Sequence, residues 1–293
     1  MAASPDSQRT ARWLDRRVIA YAHQGGAWEA PSSTLYAIAA ALKAGATGIE
    51  LDVHATADRH LVVCHDPSVD RTTNAQGQIA DLTLAELEAL DNAYWWAPGA
   101  DVTPGLEPDR YPFRGRAASD PRFRIARLEE VLEEFPGVLL NLDIKRTAPV
   151  GEPYEEDLAR LLRRFDRTDD VIVASFLDSA TDSFSTFAPD IPTSAGTVAV
   201  AAFYQSVQAG ETPVPLRHVA LQVPVGYGDL TLVDQRFVEV AHDQGLAVHV
   251  WTIEEEAEME RLCALGVDGI ITDRPTALVG VLDRLGCRWH PGG

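Results

Sequence analysis

Short apolar runs recur along the chain, each followed by a stretch whose apolar residues fall three and four apart. A run at 18–22 ends in His23-Gln24-Gly25-Gly26, and Pro31-Ser32-Ser33-Thr34 then offers helix-capping side chains. Leu35, Ile38 and Leu42 follow at helical spacing, with Gly45 as the stop. A second run at 47–53 completes a parallel strand-helix-strand unit. The same alternation returns after residue 127. Apolar runs open near 138, 170, 191, 218, 247 and 268, and helical spacing appears at 128–135, 158–165, 234–241 and 254–264. Eight parallel strands interleaved with helices predict a TIM (β/α)8 barrel. A doubly wound open sheet is the other reading of this alternation, but no glycine fingerprint follows the first strand.

The rhythm breaks twice between 54 and 127. After the second strand, Ala57-Asp58-Arg59-His60 leads directly into Leu61-Val62-Val63-Cys64. A link of four residues is too short for a parallel crossover, so these runs form an antiparallel hairpin that folds His65 back towards the second strand. Residues 67–127 are rich in Pro, Gly and Arg, with helical character only near 84–90 and an aromatic knot at Tyr94-Trp95-Trp96. They form an insertion after the second strand that either covers a site or packs as decoration. The expected organisation is a polar tail at 1–17, one barrel domain at 18–285 including the insertion, and a short tail at 286–293.

A net charge of -19 sets the protein against nucleic acid and anionic membranes as main partners. No run is long and apolar enough for an integral membrane segment, and the N-terminus lacks a signal-peptide pattern. Three widely spaced cysteines, Cys64, Cys263 and Cys287, form no CxxC and suit a reducing compartment, so a cytoplasmic location is expected.

In a barrel, the C-terminal ends of the strands gather at one mouth. His23, Glu50, Asp52, Asp143, Lys145, Ser175, Trp251 and Asp273 all stand at such ends. Glu50 and Asp52 are two apart, so their side chains leave the strand on the same face. With Asp143 they crowd negative charge into a low-dielectric mouth, which calls for a cation or for protons. Oxygen ligands without cysteine favour Mg²⁺ or Ca²⁺; the competing assignment pairs the acids with Lys145 or an arginine. His23 and His65 beside the acids suit a division of labour between general base and general acid. Lys145 supplies fixed positive charge for a phosphate. Ser175 has no adjacent base and is not read as a nucleophile. Trp251 either walls the substrate pocket or plugs the barrel.

His23-Gln24-Gly25-Gly26, Glu50-Leu51-Asp52-Val53, His65-Asp66, Asp143-Ile144-Lys145, Val250-Trp251-Thr252 and Gly269-Ile270-Ile271-Thr272-Asp273 together resemble the glycerophosphodiester phosphodiesterase family. The resemblance runs from about residue 18 to 275 and is most specific between Glu50 and Asp66. It implies a metal-dependent TIM-barrel hydrolase that cleaves glycerophosphodiesters to sn-glycerol 3-phosphate and an alcohol. His23 and His65 would be catalytic, Glu50 and Asp52 metal ligands, and Lys145 a phosphate contact. Three positions depart from the family pattern: Gln24 stands for the usual Arg, Ser32-Ser33 for Glu-Asn, and Asp143 for Glu. Gln24 would still donate a hydrogen bond to phosphate, without charge. Glu29 either replaces the missing carboxylate or faces solvent. Two other readings remain: lysophospholipase D activity, with the aromatic knot lining an apolar groove, and a catalytically silent barrel that binds phosphate-bearing ligands.

Overall fold

The computed structural model describes residues 12–145 and 151–291. Residues 1–11 of the expected N-terminal tail and 292–293 of the C-terminal tail lie outside the described residues. After helical residues at 12–14, the described chain runs through β1 (Ile19–His23), α1 (Leu35–Ala44), β2 (Gly48–Ala55) and β3 (Leu61–Val63). Thr34 caps α1, its Oγ1 accepting from the Ala37 N–H at 3.0 Å, and Gly45 ends it in the left-handed region. The insertion holds the short α2 (Leu84–Glu88), closed by a Thr83–Glu86 capping box, and the small hairpin β4 (Trp96–Ala97) and β5 (Ala100–Val102). Then come α3 (Leu128–Glu134), β6 (Leu139–Ile144), α4 (Glu155–Arg164), β7 (Val171–Ala174), α5 (Asp178–Phe187) and α6 (Thr197–Ala209). The last part holds β8 (Ala220–Pro224), the hairpin β9 (Gly226–Tyr227) and β10 (Leu230–Thr231), and α7 (Gln235–Asp243). It finishes with β11 (Ala247–Trp251), α8 (Glu256–Leu265), β12 (Gly269–Thr272) and α9 (Pro275–Leu285).

The parallel strands run in the order β7-β6-β2-β1-β12-β11-β8, with β3 added antiparallel on β2 as the short link requires. The sheet closes through residues 192–195. Val173 N–H donates to the Pro192 carbonyl and Ser194 N–H to the Val173 carbonyl on one side. On the other, Ala195 N–H donates to the Ala220 carbonyl and Val219 N–H to the Thr193 carbonyl. The weak apolar run at 191 is therefore the eighth barrel position, built from isolated parallel bridges rather than a long ladder. The outward side chains of β2, β6 and β7 pack with α1, α3 and α4 in one apolar cluster, and those of β8, β11 and β12 with α6 to α9 in a second. Trp13, Ile19, Tyr21, Leu139, Ile172, Ala247 and Ile271 fill the barrel's lower interior. Trp13, within the expected polar tail, is 1% exposed, and beyond α9 the Cys287 carbonyl and Trp289 N–H bond the backbone of Val18.

The insertion braces the β1–α1 loop. Trp96 Nε1 donates to the Ala27 carbonyl at 2.8 Å, Gly99 N–H to Trp28 and Asn92 Nδ2 to Ser32. The aromatic knot is consumed by packing. Trp96 stacks on Phe113, which meets Phe123 and Tyr36 of α1, while Tyr94, Trp95 and Tyr111 enclose the Arg114 guanidinium. This packing favours the decorative reading of the insertion, with Trp96 buried and Tyr94 and Trp95 half-buried.

Candidate active site

β1 delivers His23 at its C-terminal end, and the next three residues turn sharply away. Gln24 and Gly26 both have positive φ, 52° and 92°. A Cβ on Gly26 would approach Pro275 Cγ to 2.7 Å, so only glycine lets the loop pass the start of α9. Gln24 N–H donates to the Glu50 carbonyl at 2.9 Å, tying this turn to β2. Parallel register then sets the neighbours: His23 beside Glu50, Glu50 beside Asn141, and Asp52 beside Asp143. The side chains follow. His23 Nε2 lies 3.8 Å from Glu50 Oε2, and the rings of His23 and His65 are 6.2 Å apart between centroids. Sites 42 residues apart in the chain thus share one mouth, as the hairpin predicted.

Each imidazole is held by its own carboxylate. His23 Nδ1 is 2.6 Å from Asp273 Oδ1, and His65 Nδ1 is 2.7 Å from Asp66 Oδ1. Hydrogen bonds at Nδ1 fix both rings and leave Nε2 as the nitrogen for proton exchange; that of His23 faces Glu50 and Gln24. The second oxygen of Asp66 accepts from Arg71 Nε at 2.7 Å. The His65 bond, with Arg71 behind it, holds Asp66 well below the usual carboxylate range despite partial burial. Burial would push the His23 imidazole down, but the Asp273 bond and the Glu50 charge outweigh it and raise it to about 9. Sequence reading placed Asp273 at the mouth without a role; its partner is 250 residues away, and no local signal links them.

Lys145 Nζ sits 3.0 Å from Asp52 Oδ1 and 3.4 Å from Asp143 Oδ2. Tyr154 fixes the start of that side chain, its hydroxyl donating to the Val53 carbonyl and accepting from Lys145 N–H. Burial lowers the Lys145 pKa, yet the two aspartates more than offset it and hold the ammonium charged. Even so, among the described residues Asp52 Oδ2 and Asp143 Oδ1 are buried without a hydrogen-bond partner. Burial, followed by the Asp52 charge, pushes Glu50 up; burial pushes Asp143 up against the pull of Lys145. Among the described residues, one lysine leaves this acidic cluster short of positive charge. Among the described residues no three His, Cys, Asp or Glu side chains form a ready-made metal cage. The two orphan carboxylate oxygens and the all-oxygen donor set nevertheless fit a hard divalent cation.

The remaining candidates divide. Gln24 is buried, its Nε2 is 3.2 Å from His23 Nε2, and it lies against the site. Trp251 ends β11 half-buried and meets Phe176 edge-on at 5.6 Å between centroids; Phe176 is 55% exposed and stands 5.8 Å from Lys145 Nζ. The pair forms a wall beside the lysine, and Phe176 escaped the sequence reading because a lone aromatic after a strand carries no pattern. Ser175 Oγ donates to the Ile144 carbonyl at 2.8 Å and accepts from Leu177 N–H, a structural role. Glu29 is exposed and accepts from Thr276 N–H and Oγ1 in the first turn of α9, so it replaces no carboxylate at the site.

A (β/α)8 barrel with two carboxylate-held imidazoles, three acids and a lysine at its mouth is the constellation of a phosphoric diester hydrolase. Residues 23–277 match the model of the glycerophosphoryl diester phosphodiesterase family, and the chain belongs to that family. The glycerophosphodiester phosphodiesterase of Caldanaerobacter subterraneus subsp. tengcongensis is 31% identical over 92% of this chain and 100% of its own length. That of Bacillus subtilis is 30% identical over 88% of this chain and 84% of its own. Among solved structures, an Oleispira antarctica phosphodiesterase in complex with the product sn-glycerol-3-phosphate superposes with a TM-score of 0.67. It is 23% identical and covers 90% or more of both chains, 91% of this one and 96% of the other.

Proposed function

We propose that the protein hydrolyses glycerophosphodiesters to sn-glycerol 3-phosphate and an alcohol by histidine general acid-base catalysis at this mouth. The observation that supports this most is the pairing of two imidazoles 6.2 Å apart, each oriented by its own aspartate. Two such groups flank a tetrahedral phosphate and reach its entering and leaving oxygens. His23 has a carboxylate facing each ring nitrogen, Asp273 at Nδ1 and Glu50 at Nε2, so it is the residue held charged and serves as the acid. His65 shares its aspartate with Arg71 and serves as the base. Lys145 binds a phosphate oxygen, and the buried Gln24 amide offers a further uncharged donor. Trp251 and Phe176 wall the leaving alcohol.

Glu50, Asp52 and Asp143 would hold one Mg²⁺ or Ca²⁺. When bound, the cation supplies Lewis-acid polarisation of the phosphate and neutralises the acids. Asp143, shorter than glutamate, keeps one oxygen on Lys145 and one that has no partner among the described residues. Among the described residues no helix is long and apolar enough to cross a membrane, and the cysteines are free; both accord with the cytoplasmic location we propose.

The test is release of glycerol 3-phosphate from glycerophosphocholine, with wild type compared to His65→Ala. The reading expects turnover that falls at least a hundredfold in the variant while the circular dichroism spectrum is unchanged. A variant as active as wild type removes His65 from the reaction; faster cleavage of lysophosphatidylcholine than of glycerophosphocholine supports the lipid reading instead.

A further inference from the structure

The rows beneath the catalytic side chains change character abruptly. The lowest interior positions are apolar, as barrel interiors usually are. One row higher, beside Glu50 on β6, stands Asn141, and from across the barrel Gln222 of β8 reaches it: Gln222 Nε2 donates to Asn141 Oδ1 at 3.1 Å. The same Nε2 is 3.3 Å from His249 Nδ1 on β11. Leucines would fill this space at no desolvation cost, whereas two amides bring polar atoms that need partners. Among the described residues neither Gln222 Oε1 nor Asn141 Nδ2 has one. Asn141 is 3% exposed and Gln222 only half-buried, so the pair lies inside the barrel level with Glu50 and is not wholly closed from solvent.

One unpartnered acceptor and one unpartnered donor on a bonded amide pair match a hydroxyl, which needs one of each. We infer that Asn141 and Gln222 are specificity-determining residues that bind the glycerol hydroxyls of the substrate. Glycerol then enters deepest, the phosphate lies at the histidines and Lys145, and the leaving alcohol faces Phe176 and Trp251. Burial pushes the His249 imidazole down to about 4, so the ring stays neutral and leaves Nδ1 to accept from Gln222, fixing the amide's orientation. A site built to bond a hydroxyl discriminates strongly against a substrate lacking it, because its own polar groups are otherwise left unpaired.

This assignment rests on the phosphodiesterase reading and refines it. Gln222→Met and Asn141→Leu keep side-chain volume and remove the bonds. Kinetics on glycerophosphocholine and on bis(4-nitrophenyl) phosphate, a diester without hydroxyls, separate recognition from structure. Each variant is expected to raise KM for glycerophosphocholine about tenfold. Turnover of the nitrophenyl diester should stay within about twofold of wild type. In calorimetry, glycerol 3-phosphate affinity should fall in parallel while inorganic phosphate affinity does not. Equal losses on both substrates would reduce the pair to a structural role, and unchanged kinetics on both would remove it from the site. If wild type cleaves the nitrophenyl diester but not glycerophosphocholine, the glycerophosphodiester reading fails with it; if wild type cleaves both and the variants match it, only the amide-pair assignment fails.

Discussion

Asp273→Asn isolates what one carboxylate does for the proposed acid. Asp273 Oδ1 accepts from His23 Nδ1 at 2.6 Å, and both side chains are well shielded, 15% and 19% exposed. A hydrogen bond to a charged partner contributes about 1.5–3 kcal/mol, against about 0.5–1.5 kcal/mol for a neutral one. Asparagine keeps an acceptor but loses the charge, so the difference is about 1–1.5 kcal/mol, or roughly one pKa unit at 1.36 kcal/mol per unit. His23 is raised to about 9 in wild type, and an acid works only while protonated. The high-pH limb of kcat/KM for glycerophosphocholine should therefore move down by about one unit. At pH 8.5 the variant should be slower by roughly threefold, and at pH 6 nearly equal to wild type. An unshifted limb, or a loss independent of pH, would refute the role given to Asp273 and the choice of His23 as acid.

Two further outcomes follow from the same geometry. The chelated protein should lose stability as pH rises. His23, held above its unfolded value of about 6.5, gives stability that is complete below that pH and is lost as pH climbs through about 9. Glu50 and Asp143, pushed up by burial, also bind protons more tightly folded than unfolded, so they act in the same direction from about pH 4 upwards. Melting temperatures from pH 5 to 9 should fall without divalent ions and flatten with them; a rise with pH would contradict the assignment. Gly26→Ala places a methyl 2.7 Å from Pro275 Cγ at a φ of 92°, and should cost about 1–3 kcal/mol in urea unfolding. An unchanged midpoint would show that the β1–α1 loop yields easily.

What was legible in the chain was whatever a local pattern could carry. The alternation of Glu50 and Asp52, and the short link to Leu61, fixed which face the acids share and where His65 returns. Thr34 and Gly45 bracketed the first helix correctly. The helices α5 and α6 left no usable signal, since one is built from Ser, Thr and Asp and the other is rich in Val and Ala without a clear apolar stripe. The Asp273 contact with His23 and the Gln222 contact with Asn141 arise from barrel closure, which brings together residues 250 and 81 apart. Which of its two readings the Tyr94-Trp95-Trp96 knot follows was not legible, because aromatic composition cannot say whether partners such as Phe113 and Arg114 will cover it.

The most direct measurement is calorimetric titration of the chelated protein with Mg²⁺ and Ca²⁺, beside the Glu50→Gln/Asp52→Asn double variant. The orphan oxygens of Asp52 and Asp143 predict one divalent site per chain in wild type, lost in the double variant, with glycerol 3-phosphate release restored as the site fills. Full activity in excess chelator, with no heat of binding for either ion, would contradict it.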